Sequence, residues 1–285
     1  MPTEISPEGT RTLLRSQGGH IEELRWWLRQ LPPTEAVVVE NSAVSPDLQI
    51  LASRWLRPRL LIVTNVRADH EEVWGPGREG ARRALLAGIS PSVPVLLGEE
   101  ASGDAPLRSA LEARASSVHT LPPGEGGYEA GNRRLALAAL AFFGLDPSGV
   151  DFDSHLADDR GRFRLVRVGS GLLACAFAAN EPESTEFLWR RTGWSAEETT
   201  LLYNHRRDRP GRLRAFRPWI ASRAWRERLL CGDHPWRFHG MAWTPLSSFE
   251  ELKDLAASRR RLFGCGNASG LPLEALDACE EVPLR

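Results

Sequence analysis

Lysine is almost absent from this chain of 285 residues. Lys253 is the only lysine, so the other 35 of the 36 basic residues are arginine. This excludes any chemistry based on a lysine side chain before position 253. Cysteine is also scarce, and Cys175, Cys231, Cys265 and Cys279 are far apart in sequence and form no CxxC pair. That spacing indicates reduced thiols in a cytoplasmic protein.

Long apolar runs and a strong net charge are missing as well. No run approaches the ~18–20 apolar residues of a membrane span, and no signal peptide is visible. The formal net charge is −1, so no overall field attracts nucleic acid or an anionic membrane. With 42% hydrophobic and 26% charged residues, the composition is that of a globular protein with room for two domains.

The stretch Glu35–Trp74 has the pattern of a strand, a loop, a helix, a strand and a loop. Val37–Val39 is a short apolar β-branched run, and Leu60–Val63 is a second one. Two such runs joined by a helix-like segment are typical of a βαβ unit with parallel strands. The sequence therefore predicts an α/β fold with parallel strands at 37–39 and 60–63.

Polar side chains follow both predicted strands, where open α/β sheets bind their ligands. Glu40 follows the first strand, and Asn65, Asp69 and His70 follow the second. Glu40 fits either a surface carboxylate or a Mg²⁺ ligand, because Mg²⁺ prefers oxygen donors. A lone loop histidine is usually structural, and Asp69 is equally well placed to cap a helix. Asn65 would either hold its loop or line a phosphate pocket.

The remaining pattern up to residue 150 continues the alternation of helices and strands. An amphipathic helix is predicted at 21–31, because apolar residues recur on one helical face. Strands are predicted at 93–97 and 117–121, and helices at 107–114 and from Glu129 to Gly144. The polar, turn-rich segment 146–160 marks a domain boundary. We therefore expect a first domain at 1–150 and a second at 151–285.

The second domain is predicted to open with a pair of strands. Residues 163–168 and 172–179 flank a Gly-Ser-Gly turn, which indicates a hairpin. A strand is predicted at 199–203, and helices are predicted at 219–230 and 249–262.

Several motifs resemble the PgsB/CapB family, the ligase subunits of poly-γ-glutamate synthase within the Mur-ligase-like amide ligases. VVVENSAVSPDLQ at 37–49 and TNVRADHEEVWGP at 64–76 resemble its VVE-C-MAV-P-x-x-Q and TNVRxDHxDxMGP segments. AFAANEPEST at 176–185 resembles AFAANDPEST, and NHRRDR at 204–209 resembles N-N-R-A-D-R. LFGCGNASG at 262–270 resembles the closing G-x-GN-x-x-G-x-G segment. These motifs occur in the family's order over most of the chain.

The resemblance implies roles for the matching residues in binding ATP, Mg²⁺ and an acidic substrate. Glu40 and His70 would hold Mg²⁺, with Asn65 in the phosphate pocket. Asn132 would lie on the adenine side of ATP. The other matching residues, all in the second domain, are Asn180, Glu181, Arg206, Asp208 and Arg209.

Arginine forks suit carboxylates and phosphates, so Arg206, Asp208 and Arg209 would contact ATP or an acidic substrate. From the residues alone, they fit a solvated salt-bridged turn equally well. The resemblance assigns catalytic roles to Glu40, His70 and Arg206.

The sequence departs from the family in three places. Family members begin with a strand and a GTRGKS phosphate-binding loop, and no G-x-x-x-x-G-K-[ST] pattern occurs here. The chain thus looks like a Mur-type ligase that begins after its first βα unit. A misplaced start codon, a loop on another polypeptide and a loss of activity would each account for this. Glu181 replaces the family aspartate, and Pro272 stands where the last family glycine is expected.

The resemblance also implies a fold, an activity and partners. The fold would be an N-terminally truncated, mostly parallel Mur-ligase central domain followed by a Rossmann-like α/β domain. The activity would be ATP-dependent amide formation between glutamate and a poly-γ-glutamate chain, with domain closure excluding water. A small integral membrane subunit of the PgsC/CapC type would hold the cytoplasmic ligase at the inner face of the membrane. A homo-oligomer is compatible with this reading, and nucleic acid is not an expected partner.

An inactive pseudo-ligase that serves as an assembly or regulatory partner is the alternative. The missing phosphate-loop lysine favours that alternative. The presence of Glu40, His70 and the NEPEST segment favours the ligase.

Overall fold

The computed structural model describes residues 3–13, 21–41, 43–68, 70–114, 117–149, 163–237 and 240–283. It divides into an N-terminal unit of residues 1–66 and 70–147, and a C-terminal unit of residues 67–69 and 148–285. Both units pack helices on mainly parallel sheets, which confirms the predicted α/β class. Within the described ranges, no helix is long and apolar enough to cross a membrane.

The N-terminal unit contains a small hairpin and a parallel sheet. The hairpin pairs β1 (Thr3–Ser6) with β2 (Gly9–Thr12) in antiparallel register. The sheet has the order β3 (Leu61–Val63), β4 (Val95–Leu97) and β5 (Val118–Thr120). Predicted strands at 60–63, 93–97 and 117–121 are thus confirmed.

Helices connect and cover these strands. They are α1 (Ile21–Gln30), α2 (Pro46–Leu56), α3 (Glu71–Trp74), α4 (Gly77–Ala87), α5 (Glu99–Gly103), α6 (Ala105–Glu112) and α7 (Gly127–Phe142). The core of the unit lies where β4 meets α4 and α6. There Val95 and Leu97 form one apolar cluster with Ala81, Leu107 and Leu111, and all five are fully buried.

The predicted strand at 37–39 is wrong, and with it the βαβ unit that it was to open. Residues 31–41 form no helix or strand, and the Val38 side chain is 94% exposed. A strand needs a partner for its backbone N–H and C=O groups. Among the described residues, β3 pairs with β4 alone, and the 31–41 segment forms no ladder with it.

A buried ion pair holds α6 against α4. Asp104 accepts hydrogen bonds from Arg82 Nε at 2.9 Å and Nη2 at 3.0 Å. It also caps α6 by accepting from the Leu107 N–H at 2.8 Å. The Arg82 guanidinium keeps the pKa of the Asp104 carboxyl below its usual value, against the opposing effect of burial.

Asp104→Asn should therefore lower the free energy of unfolding of the N-terminal unit by about 2–3 kcal/mol at neutral pH. Because the folded-state pKa is lowered, the carboxylate stabilises the fold fully above its unfolded pKa of about 3.9. This stabilisation is lost as the pH falls through the lowered folded value. Urea titrations from neutral to acid pH should show the two proteins converging in stability.

Asp47→Asn is the matched control, because Asp47 is exposed in the first turn of α2. It should change stability by less than about 0.5 kcal/mol. Equal stability of Asp104→Asn and the unchanged protein at neutral pH would contradict the assignment.

The C-terminal unit is built on a six-stranded sheet with the order β10-β9-β8-β11-β7-β6. Its strands are β6 (Arg164–Val168), β7 (Gly171–Cys175), β8 (Thr200–His205), β9 (Glu227–Gly232), β10 (Ala242–Trp243) and β11 (Arg261–Gly266). The pair β6–β7 is antiparallel and the other pairs are parallel. The predicted hairpin is thus confirmed.

The helices of this unit are α8 (Pro182–Thr192), α9 (Pro210–Ala221), α10 (Phe249–Arg259) and α11 (Leu271–Ala278), with a 3₁₀ turn at Ala196–Glu198. One side of the sheet carries an aromatic cluster. Trp189, Trp219 and Trp225 surround Phe263 at ring-centroid distances of 5.1, 6.1 and 6.3 Å. Such contacts add to the apolar burial that holds α8 and α9 on the sheet.

Two predicted helices in this unit are wrong in part. The helix predicted at 219–230 covers only the end of α9, and 227–232 is strand β9. The indole of Trp225 donates to the Ile220 carbonyl at 3.0 Å and fixes the turn between them. The helix predicted at 249–262 ends at Arg259, and β11 follows at the centre of the sheet.

Candidate functional site

The carboxyl ends of β3 and β4 lie side by side in the N-terminal unit. Gly98 follows β4, and its N–H donates to the Val63 carbonyl at 2.8 Å. A Cβ at Gly98 would lie 2.6 Å from the Thr64 carbonyl oxygen, so this close approach requires glycine. The predicted site residue Asn65 follows at this edge, exposed, with its side-chain amide donating to Thr64 Oγ1 at 3.2 Å.

His70 immediately precedes α3, in a left-handed conformation with φ 49°. Its ring packs edge-on against Trp74 at 5.2 Å, and its Nδ1 lies 3.8 Å from a carboxylate oxygen of Glu72. Asp69, the residue predicted to cap this helix, lies outside the described residues.

Trp74 connects the His70 segment to the segment that follows Glu40. The Trp74 indole N–H donates to the Val44 carbonyl at 2.5 Å, four residues beyond Glu40. Glu40 is exposed, and its carboxylate has no hydrogen bond or ion pair to any described residue. The carboxylate of Glu40 therefore fits a hard cation such as Mg²⁺ on chemical grounds.

A complete protein cage for a metal is not visible in the described ranges. No group of three His, Cys, Asp or Glu side chains there is arranged to hold an ion. Mg²⁺ typically binds one or two carboxylates and completes its shell with water and substrate phosphates. The assignment of Glu40 and His70 to Mg²⁺ thus remains a prediction.

Asn132 lies exposed on α7, two residues before an arginine that fixes the position of this helix. Arg134 Nε donates to a carboxylate oxygen of Glu99, just after β4, at 2.7 Å. Glu99 also accepts from the Gly124 N–H at 3.0 Å. The hydrogen bond from Arg134 keeps the pKa of Glu99 below its usual value. Arg134 thus fixes α7 to the segment after β4, while the role of Asn132 stays a prediction.

Glu181 lies at the N-terminus of α8 in the C-terminal unit. Its carboxylate accepts hydrogen bonds from Ser184 Oγ and from Arg67, a residue of the 67–69 segment that groups with this unit. Arg67 Nε also lies 3.6 Å from Glu183, and the neighbouring Asn180 is exposed. Arg67 is a functional candidate that had no role in the sequence interpretation, although it stands inside the TNVRADH motif.

A cavity of about 220 Å³ opens at the carboxyl ends of β8, β9 and β11. Its polar lining consists of Asn204, His205, Arg206, Asp233 and Ser269. Apolar side chains of the surrounding elements complete the walls. Ligands of open α/β sheets bind at this end of the strands, so the cavity is a candidate site of the C-terminal unit.

Two buried asparagines join the central strands beneath this cavity. Asn204 Nδ2 donates to the backbone carbonyls of Asn267 at 2.7 Å and Ser269 at 3.0 Å. Asn267 Nδ2 returns a hydrogen bond to the Asn204 carbonyl at 2.7 Å, and Arg212 donates to Asn267 Oδ1 at 2.7 Å. This network ties the NHRRDR and GCGNASG motifs to each other, which their separation in sequence does not reveal.

His205 and Asp233 form the rim of the cavity where β8 and β9 end. His205 Nδ1 lies 2.8 Å from the Asp233 carbonyl, so Nδ1 carries the proton and donates. The Asp233 N–H donates to the His205 carbonyl at 3.0 Å, and the Arg207 N–H donates to the Asp233 carboxylate at 2.8 Å. In neutral His205, the proton on Nδ1 leaves Nε2 as the hydrogen-bond acceptor of the ring.

Thiol chemistry is not available at this cavity. Burial raises the pKa of Cys231, which lines it, to about 12. Its Sγ lies 3.9 Å from Asn204 Oδ1, at the distance of a weak hydrogen bond. Cys231 is therefore a neutral packing residue at physiological pH.

Arg206 and Asp208 form a bidentate pair on the loop after β8. Arg206 Nε and Nη2 lie 3.0 and 2.6 Å from the two carboxylate oxygens of Asp208. Partial burial acts to raise the pKa of Asp208, but the hydrogen bonds from Arg206 outweigh it and hold that pKa below its usual value. Arg209 occupies the position before α9. Arg206 lines the cavity, and the Asp208 carboxylate neutralises the positive charge of its guanidinium group. An anion bound in the cavity would therefore compete with Asp208 for the N–H groups of Arg206.

One family model matches the C-terminal part of the chain. Residues 163–282 match the family model of the poly-gamma-glutamate synthase CapB C-terminal domain. The predicted resemblance is thereby confirmed for this domain. The search among curated proteins found no match.

Solved structures with a similar fold include two MurF structures and E. coli FolC. MurF from Acinetobacter baumannii matches with a TM-score of 0.53 and 13% identity over 81% of this chain and 61% of that one. MurF ligase from Thermotoga maritima in complex with ADP gives 0.54 and 14% over 79% and 62%. E. coli FolC in complex with DHPP and ADP gives 0.55 and 19% over 80% and 63%. At these identities the likeness shows the fold, and this chain spans about three fifths of those structures.

Proposed function

We propose that this chain, whose residues 163–282 are a CapB-type C-terminal domain in a Mur-ligase-like fold, is an ATP-dependent amide ligase of poly-γ-glutamate synthesis. The family match over the C-terminal unit is the observation that carries the proposal. The candidate cavity supports it, because its walls come from the two motifs that the Asn204–Asn267 network joins.

The reaction joins a carboxylate to an amine in two displacements. A carboxylate oxygen of the growing chain attacks the γ-phosphorus of ATP, and the bond from that phosphorus to the ADP oxygen breaks. The amino nitrogen of an incoming glutamate then attacks the acyl carbon, phosphate leaves, and the amine loses a proton. No covalent enzyme intermediate is needed, in keeping with the neutral Cys231.

The N-terminal unit would bind the nucleotide through residues at the carboxyl ends of its strands. Glu40 and His70 would hold Mg²⁺, which when bound neutralises charge on the transferring phosphate. Asn65 would donate its amide to a phosphate oxygen. Asn132 would contact the adenine side. ADP in the Thermotoga MurF and E. coli FolC structures supports ATP as the nucleotide.

The C-terminal unit would position the acidic substrate. Its cavity of about 220 Å³ is smaller than the roughly 300–1,000 Å³ typical of drug-sized ligands, which suits one amino acid such as glutamate. Arg206 would exchange Asp208 for a substrate carboxylate, and Arg209 would add positive charge. Asn180 and Glu181 would orient ATP or the acidic substrate from the start of α8.

A partner is part of the proposal. CapB-type ligases act on glutamate, and a small membrane subunit of the PgsC/CapC type would hold this chain at the inner face of the cell membrane. The 285 residues contain no G-x-x-x-x-G-K-[ST] loop. Lys253 lies on α10, paired with Glu250 at 2.7 Å and stacked over the Phe249 ring at 4.9 Å. We therefore expect the phosphate-binding lysine to come from a segment other than these residues.

The test is glutamate-dependent turnover by the full chain, purified with the subunits that accompany it. We expect ADP release that requires both poly-γ-glutamate and glutamate, and capture of the acyl phosphate as a hydroxamate when hydroxylamine replaces glutamate. ADP release that does not depend on poly-γ-glutamate or glutamate, without formation of a hydroxamate, would overturn the ligase proposal.

The second candidate function is that of an inactive pseudo-ligase that assembles or regulates the complex. The pairing of the only lysine with Glu250 on α10 favours it. A pseudo-ligase would still accompany its partners during purification but would support no acceptor-dependent ADP release. The same assay thus separates the two candidates.

A further inference from the structure

A groove of about 390 Å³ lies between α1 and α2 of the N-terminal unit. Its floor is formed by Leu24, Leu28, Ala52, Trp55 and Leu56. Four arginines, namely Arg25, Arg29, Arg54 and Arg57, line the same groove. Arg25 and Arg29 are four residues apart and share one face of α1. Arg54 lies in the last turn of α2, and Arg57 is the residue that ends this helix.

These four guanidinium groups differ from those of Arg11, Arg82 and Arg134 in the same unit, each of which pairs with a carboxylate. Arg11 pairs with Glu4 at 2.7 Å, and Arg82 and Arg134 pair with Asp104 and Glu99. In the described ranges, by contrast, no carboxylate lies within ion-pair distance of any arginine of the groove. Like charges gathered without counter-charges repel one another in the folded state. An anionic ligand would remove that repulsion.

Trp55 orders the centre of the groove. The guanidinium carbon of Arg25 lies 4.8 Å from the centroid of the Trp55 ring, in a cation–π contact. Stacking uses the flat face of the guanidinium and leaves its in-plane N–H groups for a bidentate bond to a carboxylate. Arg25 is thus pre-positioned to donate.

Arg57 occupies a backbone position that favours glycine. It ends α2 with φ 44° and ψ 58°, in the left-handed region, and its N–H donates to the Ser53 carbonyl at 3.2 Å. A residue with a Cβ is strained there, and helices commonly use glycine at such an end. Glycine would end the helix with less backbone strain than arginine does. The presence of arginine therefore points to a role for its charged side chain.

We propose that the groove between α1 and α2 binds a polycarboxylate chain and, resting on the function proposed above, retains the growing poly-γ-glutamate product. A flexible chain with a carboxylate on every residue can engage separate guanidinium groups in turn. The net charge of −1 gives no broad positive field for nucleic acid, so the basic character is local to the groove. Product held there would remain with the enzyme between additions.

The test measures binding of short, fluorescently labelled poly-γ-glutamate chains to the full chain by anisotropy, without ATP, at several salt concentrations. The double variant Arg54→Gln/Arg57→Gly should bind roughly tenfold or more weakly, because each lost charge-assisted bond weakens the complex. Its dependence on salt should also be shallower. The melting temperature should be unchanged or higher, since glycine relieves the strain at position 57.

Arg214→Gln/Arg217→Gln is the matched control, because these two exposed arginines of α9 are also three residues apart. The control should bind poly-γ-glutamate as tightly as the unchanged chain. Equal weakening by both double variants, or no weakening by the groove variant, would overturn the proposal. Tighter binding of a single-stranded DNA oligomer of equal charge would also overturn it.

The binding experiment tests the groove proposal separately from the ligase proposal, which is tested by ADP release. If glutamate-dependent ADP release is present but groove variants bind poly-γ-glutamate normally, only the groove proposal fails. If the chain releases no ADP but loses affinity in the groove variant, the ligase proposal and product retention fail, and the binding of a polycarboxylate chain in the groove stands.

Discussion

Replacing Glu40 by glutamine should reduce glutamate-dependent ADP formation by roughly 100-fold or more. Glutamine keeps the size of the side chain but removes the charge that would hold Mg²⁺ near the triphosphate. Glu40 is exposed, and no described residue bonds to its side chain, so the fold should not respond. Turnover is measured over a range of Mg²⁺ concentrations, and the melting temperature is measured in parallel.

Glu35→Gln is the control for this variant. Glu35 is exposed in the same 31–41 segment, and its replacement by glutamine removes the same charge from that segment. We expect it to turn over at the normal rate. If the Glu40 variant retains full turnover at every Mg²⁺ concentration, Glu40 does not hold the metal, and the nucleotide site must lie elsewhere.

Gly171→Ala should lower the free energy of unfolding of the C-terminal unit by about 3 kcal/mol. A Cβ at Gly171 would lie 2.2 Å from the backbone oxygen and 2.5 Å from the carbonyl carbon of Ala256 in α10. These are backbone atoms, so no side-chain rotation can relieve the overlap. The helix would have to move away from β7, or the strand would have to shift in the sheet.

Urea unfolding measures this loss, with tryptophan fluorescence as the probe because Trp189, Trp219 and Trp225 are buried in the same unit. Gly149→Ala is the control, since Gly149 is exposed and a Cβ there would meet nothing within 4 Å. It should change stability by less than about 0.5 kcal/mol. An equally small effect at Gly171 would mean that α10 does not pack on β7 as closely as described.

The features of the fold that depend on local pattern could be predicted from the sequence. The helical face of 21–30, the apolar run at 61–63 and the turn of the β6–β7 hairpin are each contained in a few residues. Features that depend on distant partners were predicted less well. Residues 37–39 have strand-like composition without a strand, because β-structure requires another segment to pair with.

Strand β9 shows the opposite error, because most of it falls in the helix predicted at 219–230. For β11 the error is confined to its first two residues, which fall in the helix predicted at 249–262. Leu229 and Leu230 lie in the predicted helix, and their strand conformation is set by pairing with β8. Gly264 in β11 has a low intrinsic propensity for β-strands. It is required there because a Cβ would lie 2.1 Å from the Phe177 ring.

Polar residues that directly follow a predicted strand could be found from the sequence. Residues that connect one strand end to another through hydrogen bonds could not. Arg206 was a candidate from its motif, and the structure places it in the lining of the cavity. Asp233 had no predicted role, since it follows β9, which the sequence interpretation took for a helix. Asn267 had none because its part in the site depends on hydrogen bonds to Asn204, 63 residues away. Arg67 was visible in its motif, but its carboxylate partner Glu181 lies 114 residues away.

The central position of β11 constrains how the C-terminal unit can be made. This strand is the last to leave the ribosome, yet it lies between β8 and β7 and bonds to both. Until it emerges, the β6–β7 hairpin and the β8–β9–β10 group have no strand between them, and their inner edges are open to other chains. A nascent chain that stops before Arg261 therefore carries two half-sheets, and we expect it to depend on chaperones far more than the finished protein does.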